Sequence, residues 1–233
     1  MKATTNDLAL KGPQHLTAFG DRLAFTADDG THGVELWLSD GTEAGTGMVA
    51  DLAPGPAGST PDALTAVGGV LVFAADDGVH GRELWVSDGT EPGTLMVADV
   101  NPGPAGSSPH AVTARGGTLF FVADDGVHGQ ELWRTDGTAA RTLLVSDISP
   151  GPAGSSPASL TVFGDTLFFV ADDGVHGVEL WSSQGTAAET ALVEDLNPGP
   201  PDAAPAELTV IGMQLYFVAD DGFHGRELWV LSR

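Results

Sequence analysis

One six-residue pattern, Asp-Asp-Gly-x-His-Gly, holds most of the chemical potential of this chain, at residues 28–33, 76–81, 124–129, 172–177 and 220–225. Each copy offers two carboxylates and an imidazole. The second aspartate and the histidine of each copy are the candidate ligand-binding residues: Asp29 and His32, Asp77 and His80, Asp125 and His128, Asp173 and His176, Asp221 and His224. Carboxylates and imidazoles can hydrogen-bond sugar hydroxyls, and carboxylates can hold calcium. The competing reading is turn chemistry, in which an aspartate before glycine bonds its own backbone and the histidine braces a neighbouring loop.

Other chemistries are disfavoured. Asp-Asp-Gly matches neither the Asp-x-Asp-x-Asp-Gly loop with a distal glutamate of helix–loop–helix calcium sites nor the glycine-rich nonapeptide of calcium β-rolls. Asp77 and His80 alone are too few ligands for a metal. The absence of cysteine excludes disulfides, thiol catalysis and thiolate-bound metals. Nucleophilic catalysis needs a nucleophile, a base and an orienting group in one asymmetric cluster. Here the acids and imidazoles of the motif are copied five times, and no glycine-flanked serine elbow occurs. The non-repeated His15 and His110 fall in connectors and read as surface residues. The expectation is a non-enzyme with no metal and no cofactor.

The elements that position these turns are set by an internal repeat. Glu-Leu-Trp begins at Glu35, Glu83, Glu131, Glu179 and Glu227, always 48 residues apart, and contains all five tryptophans of the 233-residue chain. A period of this size belongs with four-stranded propeller blades. In the second repeat, Leu64–Val67, Leu71–Ala75, Glu83–Val86 and Leu95–Val100 read as strands, separated by Gly68-Gly69, Asp77-Gly78 and Asp88-Gly89-Thr90. No segment has a helical apolar period. The second strand is apolar on both faces, so each sheet must lie between neighbours, as blades do in a ring.

The expected fold is therefore all-β: a five-bladed β-propeller of four-stranded, 48-residue blades, forming one domain over residues 1–233. The fourth strand follows only four of the five third strands, and Thr4-Thr5-Asn6-Asp7-Leu8 aligns with Met48-Val49-Ala50-Asp51-Leu52. The N-terminal strand is expected to complete the last blade and remove a free edge. Fourteen of the fifteen prolines stiffen the connectors between blades. Each tryptophan is expected to wedge between blades with its indole N–H bonded. Thr17, Thr65, Thr113, Thr161 and Thr209 are expected to bond around a central channel.

Glu-Leu-Trp-x-x-Asp-Gly-Thr, present at residues 35–42, 83–90 and 131–138, resembles the signature of the bacterial ELWxxDGT repeat proteins. The fourth copy departs from it at Gln184, and the fifth ends after Trp229. That resemblance implies a repeat architecture without an assigned activity. The architecture is also similar to that of the five-bladed propeller lectin tachylectin, which implies that sugar recognition is compatible with such a fold.

Charge narrows the partners. Thirty-two acidic residues against nine basic ones give a net charge of −23, which disfavours nucleic acid and anionic membrane surfaces. No apolar run is long enough to span a bilayer, and no signal peptide is visible. The expected protein is a monomeric, multivalent, lectin-like binding module with up to five shallow glycan sites, placed outside or on the surface of a bacterial cell. The alternative is a structural or protein-interaction scaffold whose repeat preserves only foldability.

Overall fold

The computed structural model describes residues 10–232. The segment Thr4–Leu8, expected to close the last blade, lies outside the described residues. The chain divides into two compact units, Met1–Pro109 and His110–Arg233.

The first unit holds two four-stranded antiparallel sheets. One contains β1 (Lys11–Phe19), β2 (Arg22–Asp28), β3 (Val34–Ser39) and β4 (Thr46–Ala50); the next contains β5 (Asp62–Val67), β6 (Val70–Asp76), β7 (Arg82–Ser87) and β8 (Thr94–Ala98). The second unit holds two more such sheets and a three-stranded one. The third sheet is β9 (His110–Arg115), β10 (Thr118–Asp124), β11 (Gln130–Thr135) and β12 (Leu143–Ser146). The fourth is β13 (Ala158–Phe163), β14 (Thr166–Asp172), β15 (Val178–Ser183) and β16 (Thr190–Glu194); the fifth is β17 (Ala206–Ile211), β18 (Gln214–Asp220) and β19 (Arg226–Ser232). Every sheet is a simple meander, so strand order follows chain order.

Turn chemistry explains the meander. Val67 pairs with Val70 across Gly68 and Gly69, whose φ angles of +59° and +89° suit a tight hairpin that most residues resist. The expected strands are reproduced to within two residues, and β8 stops at Ala98. Beyond it the chain leaves the sheet, and the Asn101 N–H donates to Glu83 instead of a strand. In the third and fourth sheets the last hairpin contains a single 3-10 turn, Ala139–Arg141 and Ala187–Glu189. Where Gln184 interrupts the pattern, the Thr186 hydroxyl donates to Glu189 instead of the usual aspartate.

Two-sided burial is clearest in the fourth sheet. Leu167, Phe169 and Ala171 pack with Phe120 and Leu132 of the third sheet and with Ile148 just beyond it. Phe168 and Leu180 pack with Leu215, Phe217 and Ala219 of the fifth. In the first unit, Leu36 and Leu38 likewise meet Phe73, Ala75 and Trp85. Within each unit, Leu36, Leu132 and Leu180 of Glu-Leu-Trp thus face the following sheet, while Trp85, Trp181 and Trp229 face the preceding one. Burial of such side chains contributes about 1.5–3 kcal/mol each.

Two sequence expectations need correction. His15 and His110 lie in strands, not connectors: His15 within β1 and His110 at the start of β9. The Lys11-Gly12-Pro13 segment is likewise part of β1, where Lys11 pairs with Asp28. Their proximity to proline suggested a connector. The strand instead begins early and absorbs a bulge, with His15 at φ +53° and Ala63, Ala111, Ser159 and Glu207 at matching angles. The threonine two residues later braces four of these bulges, as where Thr161 donates to Ser159 O at 2.9 Å and Thr209 to Glu207 O at 2.8 Å. Thr17 and Thr113 also reach the next first strand, at Leu64 O and Leu160 O.

Candidate functional site

Each Asp-Asp-Gly-x-His-Gly sequence forms the turn between the second and third strands of its sheet. The first aspartate ends the strand and accepts from the glycine N–H, as Asp76 does from Gly78 at 2.7 Å. The second aspartate organises the rest. Asp77 Oδ1 accepts from the Val79 and His80 N–H groups at 2.9 and 2.8 Å, and its Oδ2 meets His80 Nδ1 at 2.7 Å. The same three contacts recur at Asp29, Asp125, Asp173 and Asp221.

This geometry assigns the ring. An ionised carboxylate only accepts, so Nδ1 carries the proton and Nε2 is the imidazole nitrogen left over. The bond to Asp77 raises the His80 pKa against a smaller opposing effect of desolvation, and Asp99 at the end of the fourth strand adds to the rise. For Asp77, burial pushes the pKa upward but is outweighed by the His80 and Val79 hydrogen bonds, so it is lowered. Asp29 falls to about 2, chiefly through the His32 N–H. Asp221 also falls to about 2, chiefly through the His224 ring.

All ten sequence-predicted residues therefore come together in pairs, one pair per turn. Asp77 is mostly covered, with 16% of its side chain exposed, while His80 retains 38%. The aspartates are spent on the turn, so a ligand would meet the imidazole edge and the variable residue before it. That residue points out: Val79, Val127, Val175 and Phe223 are 60–84% exposed. Among the described residues, no group of three or more histidine and acidic side chains is arranged to hold a metal ion.

The turn is fastened to the connector that follows the sheet. Gly81 and Gly106 touch through their backbones so closely that a Cβ on Gly81 would lie 2.5 Å from the Gly106 nitrogen. Gly33 with Gly58 and Gly129 with Gly154 repeat this contact. Ser108 N–H adds a bond to Arg82 O at 3.0 Å. Only residues without a side chain permit such an approach.

The residue that sequence reasoning did not place is the strand glutamate. Glu35, Glu83, Glu131 and Glu179 are fully buried. Glu83 Oε1 accepts from the Asn101 and Ser107 N–H groups at 3.1 and 2.9 Å, and Oε2 takes the Ser107 hydroxyl at 2.5 Å. Glu35 clamps Ala53 and Ser59 in the same way, and Glu131 clamps Ser149 and Ser155. Burial raises the pKa of these glutamates, and the serine and backbone donors oppose the rise. The available signal was a serine 24 residues after the first three glutamates and an alanine after the fourth. The tryptophans are largely buried as expected; Trp37, Trp85 and Trp229 donate to Ala27 O, Ala75 O and Ala219 O. The indole nitrogens of Trp133 and Trp181 are buried without a hydrogen-bond partner, contrary to that expectation.

No family model matches the chain, and no curated protein matches it. Solved structures do. A computationally designed protein, Ika8, aligns over 94% of this chain and 58% of its own, with 16% identity and a TM-score of 0.50. Oligopeptidase B from Leishmania major aligns over 97% of this chain and 32% of its own, at 11% identity and a TM-score of 0.55. A puromycin-hydrolysing peptidase of Mycobacterium tuberculosis gives 96% and 35%, at 13% identity and 0.54. The chain thus spans little more than half of the designed protein and about a third of either peptidase. At these identities the likeness concerns the fold alone, and it identifies the chain as an all-β, repeated-sheet, propeller-like protein.

Proposed function

We propose that the chain is a non-enzymatic, multivalent, lectin-like binding module whose repeated turns present up to five shallow contacts to glycans. The observation that carries this reading is the pairing, in the turns, of a carboxylate-locked imidazole with an outward-held side chain. A sugar hydroxyl both donates and accepts, so it suits Nε2 in either protonation state. Single contacts of this kind are weak, and repetition along a glycan surface multiplies them. The aspartates act as positioning residues, because their oxygens are spent on the turn.

The architecture proposed with it is a closed five-bladed propeller of the ELWxxDGT repeat type, with Thr4–Leu8 supplying the outer strand of the fifth blade. The unpaired outer edge of β19 among the described residues supports that closure. So does Leu228, which is 70% exposed where Leu36, Leu84 and Leu180 are 1%. The second reading, a ligand-free scaffold, is favoured by one observation: every hydrogen bond of Asp77 is internal to its turn. A glycan array run with and without EDTA decides between them. Binding that survives EDTA is expected; silence across neutral and charged glycans would overturn the lectin reading and leave the scaffold.

A further inference from the structure

We infer that the fifth turn, Asp220–Gly225, is the principal contact of the protein, with Phe223 as an aromatic platform for the C–H face of a neutral pyranose ring. This deepens the binding reading above and rests on it. The variable position holds Thr31, Val79, Val127 and Val175 in the first four turns and phenylalanine only in the fifth. The three valines are already 60–65% exposed, so the position makes no core contact that a larger side chain would improve. Phe223 is 84% exposed, the most of any large apolar residue described. Its exposure gains nothing for folding, since stabilisation by an apolar side chain requires burial.

The imidazole beside Phe223 is held as in the other turns: Asp221 meets His224 Nδ1 at 2.7 Å, so the ring orientation is fixed and Nε2 is the nitrogen left over. Consecutive residues therefore offer an apolar aromatic surface and an oriented polar atom. An aromatic face carries partial negative charge and attracts the slightly positive C–H groups on one side of a pyranose. The imidazole provides a partner for a ring hydroxyl.

The turn is also well supported. A Cβ on Gly222 would lie 2.4 Å from Asn197 Oδ1, which places the preceding connector directly behind it. Asp220 N–H donates to Ala203 O at 2.9 Å, and Arg226 donates to Ala204 O at 3.2 Å. A platform fixed before binding loses little entropy when a ligand arrives. The charge of −23 selects against uronic, sialylated or sulfated sugars, so the ligand class is neutral.

The test is calorimetric titration of the full chain with neutral methyl pyranosides, using galacturonic acid as the anionic control. Wild type is expected to bind at least one neutral pyranoside with a stoichiometry near one and to ignore the acid. Phe223→Val, which installs the residue of the second to fourth turns, is expected to weaken binding at least tenfold. Phe223→Tyr is expected to retain it. Equal binding by wild type and Phe223→Val, or a stoichiometry near five in both, would overturn the platform while leaving a lectin. No pyranoside binding at all would overturn both.

Discussion

The second and fourth sheets carry the same strand glutamate and hold it differently. Glu83 receives two backbone N–H groups and the Ser107 hydroxyl, at 2.5 Å for the hydroxyl. Glu179 has Ala203 where that serine would be, and its contacts to the Leu196 and Asn197 N–H groups are longer, at 3.4 and 3.3 Å. Both carboxylates are completely buried and both have raised pKa values because of it. The connector after the fourth sheet compensates elsewhere: Asp202 replaces the glycine, and its Oδ1 accepts the Val178 N–H at 2.9 Å. An identical motif residue thus has a different set of hydrogen-bond donors where the residue 24 positions away changes from serine to alanine.

The largest effect that can break this comparison is removal of the carboxylate. Glu83→Ala leaves buried N–H groups and a hydroxyl without an acceptor and is expected to cost about 3 kcal/mol. Glu179→Ala, with fewer and longer bonds to lose, is expected to cost about half as much on the same scale. Denaturant unfolding monitored by tryptophan fluorescence measures both. Equal losses would mean that the serine hydroxyl adds nothing to the clamp.

Next in size is the backbone contact. Gly106 sits at φ +65°, and a Cβ there would lie 2.2 Å from the Arg82 nitrogen. Gly106→Ala is expected to destabilise by about 2–3 kcal/mol, from strain and collision together. Asp202, at the corresponding place after the fourth sheet, is not among the residues with positive φ. Asp202→Gly therefore relieves no strain and loses the bond to Val178, at a cost of about 1 kcal/mol. A stabilised Asp202→Gly would show that the two connectors follow the same path after all.

The hydroxyl itself gives a smaller, signed pair. Ser107→Ala is expected to cost about 1–2 kcal/mol, because one glutamate oxygen stays buried without its donor. The reverse change, Ala203→Ser, is expected to add about 0.5–1 kcal/mol by supplying the donor to Glu179. Two thermal melts per variant suffice, and a destabilised Ala203→Ser would mean that the fourth clamp has no room for an oxygen.

Fold and site differed in how far they could be read from the residues. The 48-residue repeat, glycine-directed hairpins and doubly apolar second strands gave the sheet order, because each is a local pattern with one backbone solution. Asp77 and His80 could be placed in one turn, and bonding of the aspartate to its own backbone was one of two readings open; its hold on the His80 ring was not legible, since side-chain pairing within a turn depends on rotamers that no local pattern dictates. Glu83 was harder. Nothing in its own strand names its partners, because the donors lie on a connector distant in sequence. His15 misled for the opposite reason: its neighbours imply a connector, and only strand pairing reveals a bulge.

The smallest expected effect asks whether the turns share the inequality of the clamps. His80 and His176 each meet their aspartate at 2.7 Å and have nearly equal side-chain exposure, 38% and 37%. Both pKa values are raised above 6.5, first through the aspartate hydrogen bond, while Asp77 and Asp173 are lowered below 3.8 as hydrogen bonds outweigh burial. Linkage fixes the sign. The imidazole contribution is complete below pH 6.5 and is lost as pH rises through the folded histidine value; the aspartate contribution is complete above 3.8 and is lost as pH falls through the folded aspartate value. Turn stability should therefore form a plateau between those limits, identical in the second and fourth sheets. Titration of the histidine ring protons by NMR should give coincident midpoints for His80 and His176, both above 6.5. Asp77→Asn should bring the first back toward 6.5 and leave the second in place. Separate midpoints in the wild-type protein would show that the weaker clamp behind Glu179 reaches the turn, making the repeat unequal at its candidate ligand surface as well as in its core.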